Sequence, residues 1–484
     1  MKKVNLLLAL LFSIVSLLNA QWTSPGNGTT YTLPDLVSVS NGAVTNEGTV
    51  FSFNSDITIS ANDVLKIDHQ VTRIDAVGVL ITINGSVTCT NTVRVGIYGS
   101  MTEQFCMRFE NATDCTLKTL YFSDGCGIKV IESDVEFIDC KFVYFTRDYS
   151  NAVIDFMNCN PLIEDCYFLR NEGAAISSPA NGQGSPRILN NRLEENVTSN
   201  INSPQINLGP GAEDTIYIVG NVIDDDYATH RVGGISVADL VGIGSTKVLL
   251  KDNIVINGRY GYNQQGLTIS SVIERNQFAD NHFEDNPMNG GSGISIYGVN
   301  ENNKAILRNN IITGNLWGIT VISAADIDLG TEDDWGYNKI HDNGNSGVVY
   351  DLYNNSAYDI MAVGNNWGTS NRRIIEAHIV HQNDDPSLGL VTFVPFVDVD
   401  GVNENNKSDF EISPNPVSNG CFTLTLEEAM PSEMVIYNLN GQFVKSQNIE
   451  NKVNTININN LKSGIYFVQV KNDTLKSVHR IVVK

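Results

Sequence analysis

An all-β chain, a right-handed parallel β-helix followed by a small antiparallel β-sandwich, is predicted by three observations. Two residue columns keep step along most of the chain, through insertions of variable length. Between their members apolar and polar residues alternate over short segments, the period of a strand and not of a helix. After about residue 408 the Gly-rich repeats give way to roughly 75 residues of neutral, strand-like sequence.

The first column is an apolar residue, two variable residues, a polar or small residue, one variable residue and another apolar residue. It reads Ile188, Asn191, Leu193; Ile218, Asn221, Ile223; Leu250, Asn253, Val255; Ile273, Asn276, Phe278; and Leu307, Asn310, Ile312. Asn338 and Asn366 extend it downstream, and Cys140 and Cys166 hold the same slot upstream. The second column, Gly-apolar-variable-apolar, starts at Gly234, Gly266, Gly293, Gly318 and Gly347, with weaker copies at Gly173 and Gln205. Spacings of about 20 to 34 residues are those of a solenoid. One Asn-bearing and one Gly-bearing bend per repeat describe a coil whose strands pair in parallel with the coils above and below. Right-handed crossover sets its hand. Asn suits the bend because it tolerates left-handed backbone and can hydrogen-bond along the axis.

Residues 21–400 are therefore read as the β-helix, with regular coils over about 56–397, residues 401–408 as a linker and 409–484 as a separate domain. Residues 1–20, MKKVNLLLALLFSIVSLLNA, form a signal peptide: Lys2 and Lys3, an apolar run, and Ala20 at the cut. No later stretch is apolar enough to span a bilayer, so the mature chain is expected to be exported without a transmembrane segment. The 484 residues carry a net charge of -23, with 18% charged, 42% hydrophobic, 40 Gly and 13 Pro. That is a globular composition, and its acidity disfavours a nucleic-acid partner. Residues 409–484 hold seven basic and seven acidic side chains, so the acidic excess belongs to the β-helix.

On these columns, residues from about 56 to 397 resemble the pectate-lyase-like superfamily of secreted right-handed β-helix proteins. The ending from Gly364 to Phe396 is similar to one those proteins share, at Asn365, Asn366, Trp367, Gly368, Asp385, Pro386 and Pro395. Its expected role is to cover the last coil. The tail resembles the type A C-terminal sorting domain of the type IX secretion system, through Asn415, Pro416, Gly420, Tyr437, Gly441, Leu461, Gly464, Ile465, Tyr466 and Val483-Lys484. The resemblance implies a Bacteroidetes-type cell, the type IX machinery as partner, and removal of the tail with release or attachment to surface lipopolysaccharide.

Seven of the eight cysteines fall between Cys89 and Cys166, none with zinc-knuckle spacing. Cys140 and Cys166 share a slot of adjacent repeats and are expected to stack as buried thiols, a disulfide between them being the alternative that an oxidising compartment permits. Polysaccharide cleavage, which the β-helix resemblance brings into play, needs a base near carboxylates that bind calcium or act as acids. In such relatives these groups commonly project from one parallel sheet. The outward column here is read as Ala175, Asn207, Ser236, Thr268, Ser295, Thr320 and Val349, without carboxylate or base. The remaining candidates are Asp224, Asp225 and Asp226 for calcium or glycan, His230 and Arg231 for catalysis, and Tyr260, Tyr262 and Tyr297 for stacking on sugars. Arg259, His282, Glu284 and Asp285 lie in neighbouring loops, and Glu332-Asp333-Asp334-Trp335 is a further acidic segment. No Gly-x-Ser-x-Gly, HExxH, phosphate loop or dinucleotide fingerprint is present. Two functions follow as expectations: a surface-displayed binder of glycan or another surface, or a polysaccharide lyase or glycoside hydrolase.

Overall fold

The computed structural model describes residues 21–68, 70–225, 231–397, 410–426, 429, 431–471 and 476–484. The signal peptide, the linker, Asp226 and His230 lie outside the described residues. The chain divides into two units that part at residues 399–400.

In the first unit strands recur in a fixed order around each coil. Val232–Asp239, Thr246–Lys251 and Ile254–Ile256 make one coil; Tyr262–Gly266, Ile269–Glu274 and Gln277–Ala279 make the next. Each strand pairs in parallel with its counterpart one coil on. Three stacks result, called here the first, second and third in chain order. The first holds fourteen strands, from Trp22–Thr23 to Ile379–Val380, which at about 4.8 Å per coil spans about 60 Å. The stacking begins upstream of residue 56, since Trp22 pairs with Ile57 and Thr30 with Val64. Ser86–Tyr98 and Cys115–Ser123 each serve both the second and third stacks.

Alternation sends every second residue inward. Ile163, Ile188, Ile218, Leu250, Ile273 and Leu307 thereby form one fully buried file along the second stack. β-Branched and Leu side chains at this spacing pack flat, coil on coil.

The bend from the second to the third stack is a ladder of amides. The backbone N–H and Nδ2 of Asn191 both donate to Oδ1 of Asn221, at 2.9 and 3.0 Å, and Nδ2 also donates to the Ile163 carbonyl. The pattern repeats through Asn221, Asn253, Asn276, Asn310 and Asn338. It ends on Asn365, not on Asn366: Asn338 donates to Oδ1 of Asn365, which is fully buried. Nor is the ladder Asn itself left-handed. The residue before each takes positive φ, as at Asn190 (54°), Asp252 (56°), Arg275 (55°) and Asn309 (59°). Such backbone is costly for residues with a Cβ and persists where surrounding contacts fix it.

A second ladder lines the bend from the third stack back to the first. It links Asn171 to Asn196, and Asn281 through Asn315 and Asn343 to the buried Asp351. Its members stand five residues after the first ladder: Asn191 and Asn196, Asn276 and Asn281, Asn310 and Asn315, Asn338 and Asn343.

Structure is packed at both ends of the stack, where exposed strand edges would template aggregation. At the start, the Asp63 carboxylate accepts from the amides of Gly26 (2.7 Å), Gly28 (2.9 Å) and Thr29 (2.9 Å) and pins the first loop to the stack. At the finish, the helix Arg372–Ala377 and the buried Trp367, edge-on to Phe393, close the last coil.

The second unit has two antiparallel sheets, one of Phe410–Ser413, Cys421–Leu426 and Val453–Asn457, the other of Ser432–Asn438, Phe443–Ile449, Gly464–Lys471 and Lys476–Val483. Phe422, Leu424, Met434, Ile436, Val468 and Ile481 are among the residues that fill its core. Asn415 ties the start of the unit to its last strand, donating to the Arg480 carbonyl and accepting from the Val482 amide at 2.9 Å each. Gly441, at φ 71°, makes the turn after Asn438, and the Lys484 amide bonds Val417.

Candidate glycan-binding face

The outward column of the first stack follows from its pairing register. In successive coils it reads Arg108, Lys129, Asp155, Ser177, Asn207, Ser236, Asn263, Ser295, Thr320 and Tyr353. This corrects the sequence reading at three positions. Thr268 lies in the link to the second stack, because Gly266 ends its strand, and Val349 belongs to the short hairpin of Gly344–Asn345 and Val348–Val349. The member in the coil of Ala175 is Ser177. Upstream the column does contain a carboxylate and two bases.

Two regions of this face differ in chemistry. Downstream, from Ser236 to Thr320, it is hydroxyl and amide and mostly covered: Asn263, half-buried, donates to Ser236 at 3.1 Å, the buried Ser292 and Thr320 share a 2.7 Å hydrogen bond, and Ser236 and Ser295 are buried too. Tyr260 reaches over this region from the incoming bend. Its ring covers Gly233, where any Cβ would collide with it. Burial pushes the Tyr260 phenol above its usual range, against the opposing effects of Arg259 and the bond to Ser236, so it remains a neutral donor. Farther along, Trp317 packs on Tyr350 with ring centroids 4.2 Å apart and on Tyr353 at 6.2 Å. Arg259 latches the loops above the face, bonding Asn202, Glu284 at 3.3 Å and the Asn289 carbonyl, with only 11% of its side chain exposed.

Upstream the face is charged. Arg108 clasps Glu110 through two 2.9 Å bonds, which hold that carboxyl below the usual range. Lys129 lies 4.6 Å from the centre of the Tyr149 ring, and Tyr149 is also a hydrogen-bond partner of Arg108. Asp155 accepts from Ser177 at 3.0 Å and Ser150 at 3.2 Å. Beside this group a disulfide joins Cys106 and Cys126, whose Cα atoms are 5.2 Å apart.

The structure separates the other candidates. Tyr262 is fully buried, an inward residue bonded to Gln264, and is withdrawn as a sugar platform. Tyr297 stands on the outer side, half-buried, in register with Gln265 and Ile322. Asp224 is outward on the third stack, where it accepts from Asn257 at 2.8 Å, while Asp225 is buried. Arg231 is exposed and its amide bonds Asn200. His282 and Asp285 are exposed loop residues, and Asp334 pairs with Arg308. Arg108, Lys129, Tyr149, Asp155 and Trp317 were missed; counting back from Ser236 by paired strands would have reached the column members.

The stacked parallel strands and bends define a parallel β-helix protein. Its last domain defines where it goes: residues 411–484 match the secretion system C-terminal sorting domain. The chain thus carries a type IX sorting tail and is secreted to the cell surface or extracellular space. Residues 260–373 match a family of unknown function, DUF1565. No curated protein matches. Among solved structures the chain is similar to the periplasmic alginate epimerase AlgG, at 13% identity and TM-score 0.45, covering 75% of this chain and 83% of that one. It is also similar to a double mutant of the tailspike protein of E. coli bacteriophage HK620 in complex with pentasaccharide, at 10% identity and TM-score 0.37, covering 96% and 85%. Among the described residues no helix is long and apolar enough to cross a membrane.

Proposed function

We propose that this protein is displayed or released outside the cell and binds a glycan on the outer face of the first stack, without cleaving it. The observation that carries the reading is the half-buried rings of Tyr260, Tyr350 and Tyr353 at the two ends of a hydroxyl and amide column, Ser236, Asn263, Ser295 and Thr320, of which Asn263 is the half-buried member and the other three are buried. Hydroxyls and amides match sugar hydroxyls, and aromatic rings match the C–H faces of pyranoses. No group in that stretch of the column can exchange a proton near neutral pH. A leader at residues 1–20 takes the chain out of the cytoplasm, and the tail engages the type IX machinery.

The enzymatic reading is favoured by one observation, the Arg108, Lys129 and Asp155 rungs with Tyr149 beside them: a carboxylate, two bases and a phenol on adjacent coils. The two readings separate when the protein is incubated with acidic and neutral polysaccharides while binding, unsaturated-product absorbance and reducing ends are followed together. Binding abolished by Tyr260→Ala with Tyr353→Ala, and no product, supports the binder. Product formation lost in Lys129→Ala or Asp155→Asn replaces it with the enzyme. Deleting residues 409–484 should leave the β-helix folded inside the cell envelope, and normal surface display of that truncation would assign the tail another role.

A further inference from the structure

We propose that the outer face of the third stack carries a second, independent track for a linear neutral polysaccharide lying parallel to the helix axis. In register on this face stand Arg73, Gly96, Tyr121, Lys141, Tyr167 and Arg192, one per coil. The glycine does not break the file. The Tyr98 ring lies across Gly96, where any Cβ would overlap it, and so fills that rung. Arg73 then sits 4.3 Å from the centre of the Tyr98 ring, Tyr98 and Tyr121 are 5.6 Å apart, and Lys141 stands 5.8 Å from the centre of Tyr167. Cations and rings thus share a continuous strip about 24 Å long, each rung about 4.8 Å from the next. That rise is close to the length of one pyranose in an extended chain, so successive sugars can meet successive rungs.

The strip is open to solvent. The side chains of Arg73 and Arg192 are 50% and 61% exposed, and Lys141 is exposed. Its charges decide the occupant. Arg73 pairs with Asp75 at 2.6 Å, and Arg192 pairs with Glu194, which also takes the Tyr167 hydroxyl. Among the described residues only Lys141 of the three cations lacks an acid partner. A polyanion gains affinity by displacing counterions from unneutralised cations, and here two of three are already neutralised in a chain of net charge -23. What remains are ring faces for C–H stacking and ion pairs whose free edges bond hydroxyls, the chemistry that recognises an uncharged sugar chain.

The test is affinity electrophoresis of the full chain in native gels holding xylan, galactomannan or laminarin, with alginate and single-stranded DNA as acidic comparators. At least one neutral polysaccharide should retard the protein. Tyr121→Ala with Tyr167→Ala should weaken that interaction at least about tenfold, while Tyr121→Phe with Tyr167→Phe, which keeps the rings, should lose less than about threefold. The first-stack pair Tyr260→Ala with Tyr353→Ala should leave the third-stack contribution intact, which separates failure of this track from failure of the first-stack reading. Should the double Ala variant melt early, Tyr121→Ala alone decides, at about threefold. The proposal is overturned if no neutral polysaccharide is bound, if only the acidic comparators are, or if the third-stack variants bind like the wild type.

Discussion

The bend between the second and third stacks is built of amides in the C-terminal coils, of two thiols, Cys140 and Cys166, in the coils before them, and of Leu120 and Val95 farther upstream. Cys140 and Cys166 are both buried. Each donates its thiol to carbonyls, Cys140 to Leu117 at 3.2 Å and Cys166 to Phe137 at 3.4 Å. Burial pushes the Cys166 thiol well above its usual range, so it stays an inert, weak donor. An amide at this position does more: it accepts twice from the coil on one side and donates to the coil on the other. What the upstream half lacks in hydrogen bonds it supplies in rings. Phe142 stacks on Phe122 and Phe168, with centroids 5.0 and 4.8 Å apart, where the amide half has Leu193, Ile223 and Val255. A coil can therefore be tied to its neighbour by stacked rings or by a polar ladder. The ladder also fixes register, because a slipped coil leaves buried amides unpaired.

Breaking the amide half should cost most. Asn276→Ala leaves the N–H and part of the Nδ2 of Asn253 without Oδ1, and the Leu250 carbonyl without its donor. A loss of about 3–5 kcal/mol is expected from denaturant melts, against less than about 0.5 kcal/mol for the exposed Asn302→Ala; equal melting points would reject the ladder as the source. Next comes the N-terminal end of the stack. Asp63→Ala removes the acceptor of three amides and should cost about 3 kcal/mol. Burial raises the Asp63 carboxyl, but the Ser24 bond and the three amides outweigh it and hold the folded value below the ordinary 3.8. The stabilisation is therefore full above pH about 4 and disappears as pH falls through the folded value. Asp63→Ala should accordingly flatten the acid limb of the wild-type stability curve, and an unchanged limb would show that Asp63 does not titrate with unfolding. A smaller change should sharpen the comparison by extending the ladder upstream. Cys166→Asn places a donor against Oδ1 of Asn191, which now takes only the Cys166 amide, and should raise stability by up to about 1 kcal/mol. A clear loss would mean that the thiol slot is too small for an amide.

The same contrast explains what was legible beforehand. Amides that bond from coil to coil must recur once per coil, so the first ladder was visible as a column, and the thiols that replace them could be placed in it. The five-residue echo from Asn276 to Asn281 was present too, but its members break step where Gly258 stands in the same bend. Its meaning also depends on bends whose backbone the alternation pattern does not report. The first-stack register was misread at Gly266 and Gly347 because a glycine opens any tight bend, whether or not a first-stack strand follows. Lys129 stands in Gly127-Ile128-Lys129-Val130, an overlooked copy of the Gly-led column, whereas Arg108 and Asp155 escaped because their strands lack the leading glycine and only strand pairing connects them to Ser236.

The smallest expected effect concerns calcium at Asp224, Asp225 and Asp226. Adjacent residues of an extended segment point to opposite sides, and the structure follows that rule: Asp224 faces out and is bonded by Asn257, while Asp225 is 2% exposed. Two neighbours so divided cannot both ligate one ion on the outer face, where a hard cation needs several oxygens at once. Among the described residues no group of three His, Cys, Asp or Glu stands close enough to hold a metal. Calcium bound at a hundred times its dissociation constant would stabilise the fold by about 2.7 kcal/mol, an effect readily seen in a melting curve. The expectation is instead a shift below about 1 °C, the same in the wild type and in Asp224→Ala with Asp226→Ala. A larger shift confined to the wild type would show that the acidic run converges on an ion, and would move the weight of the functional argument toward the charged rungs at Arg108, Lys129 and Asp155.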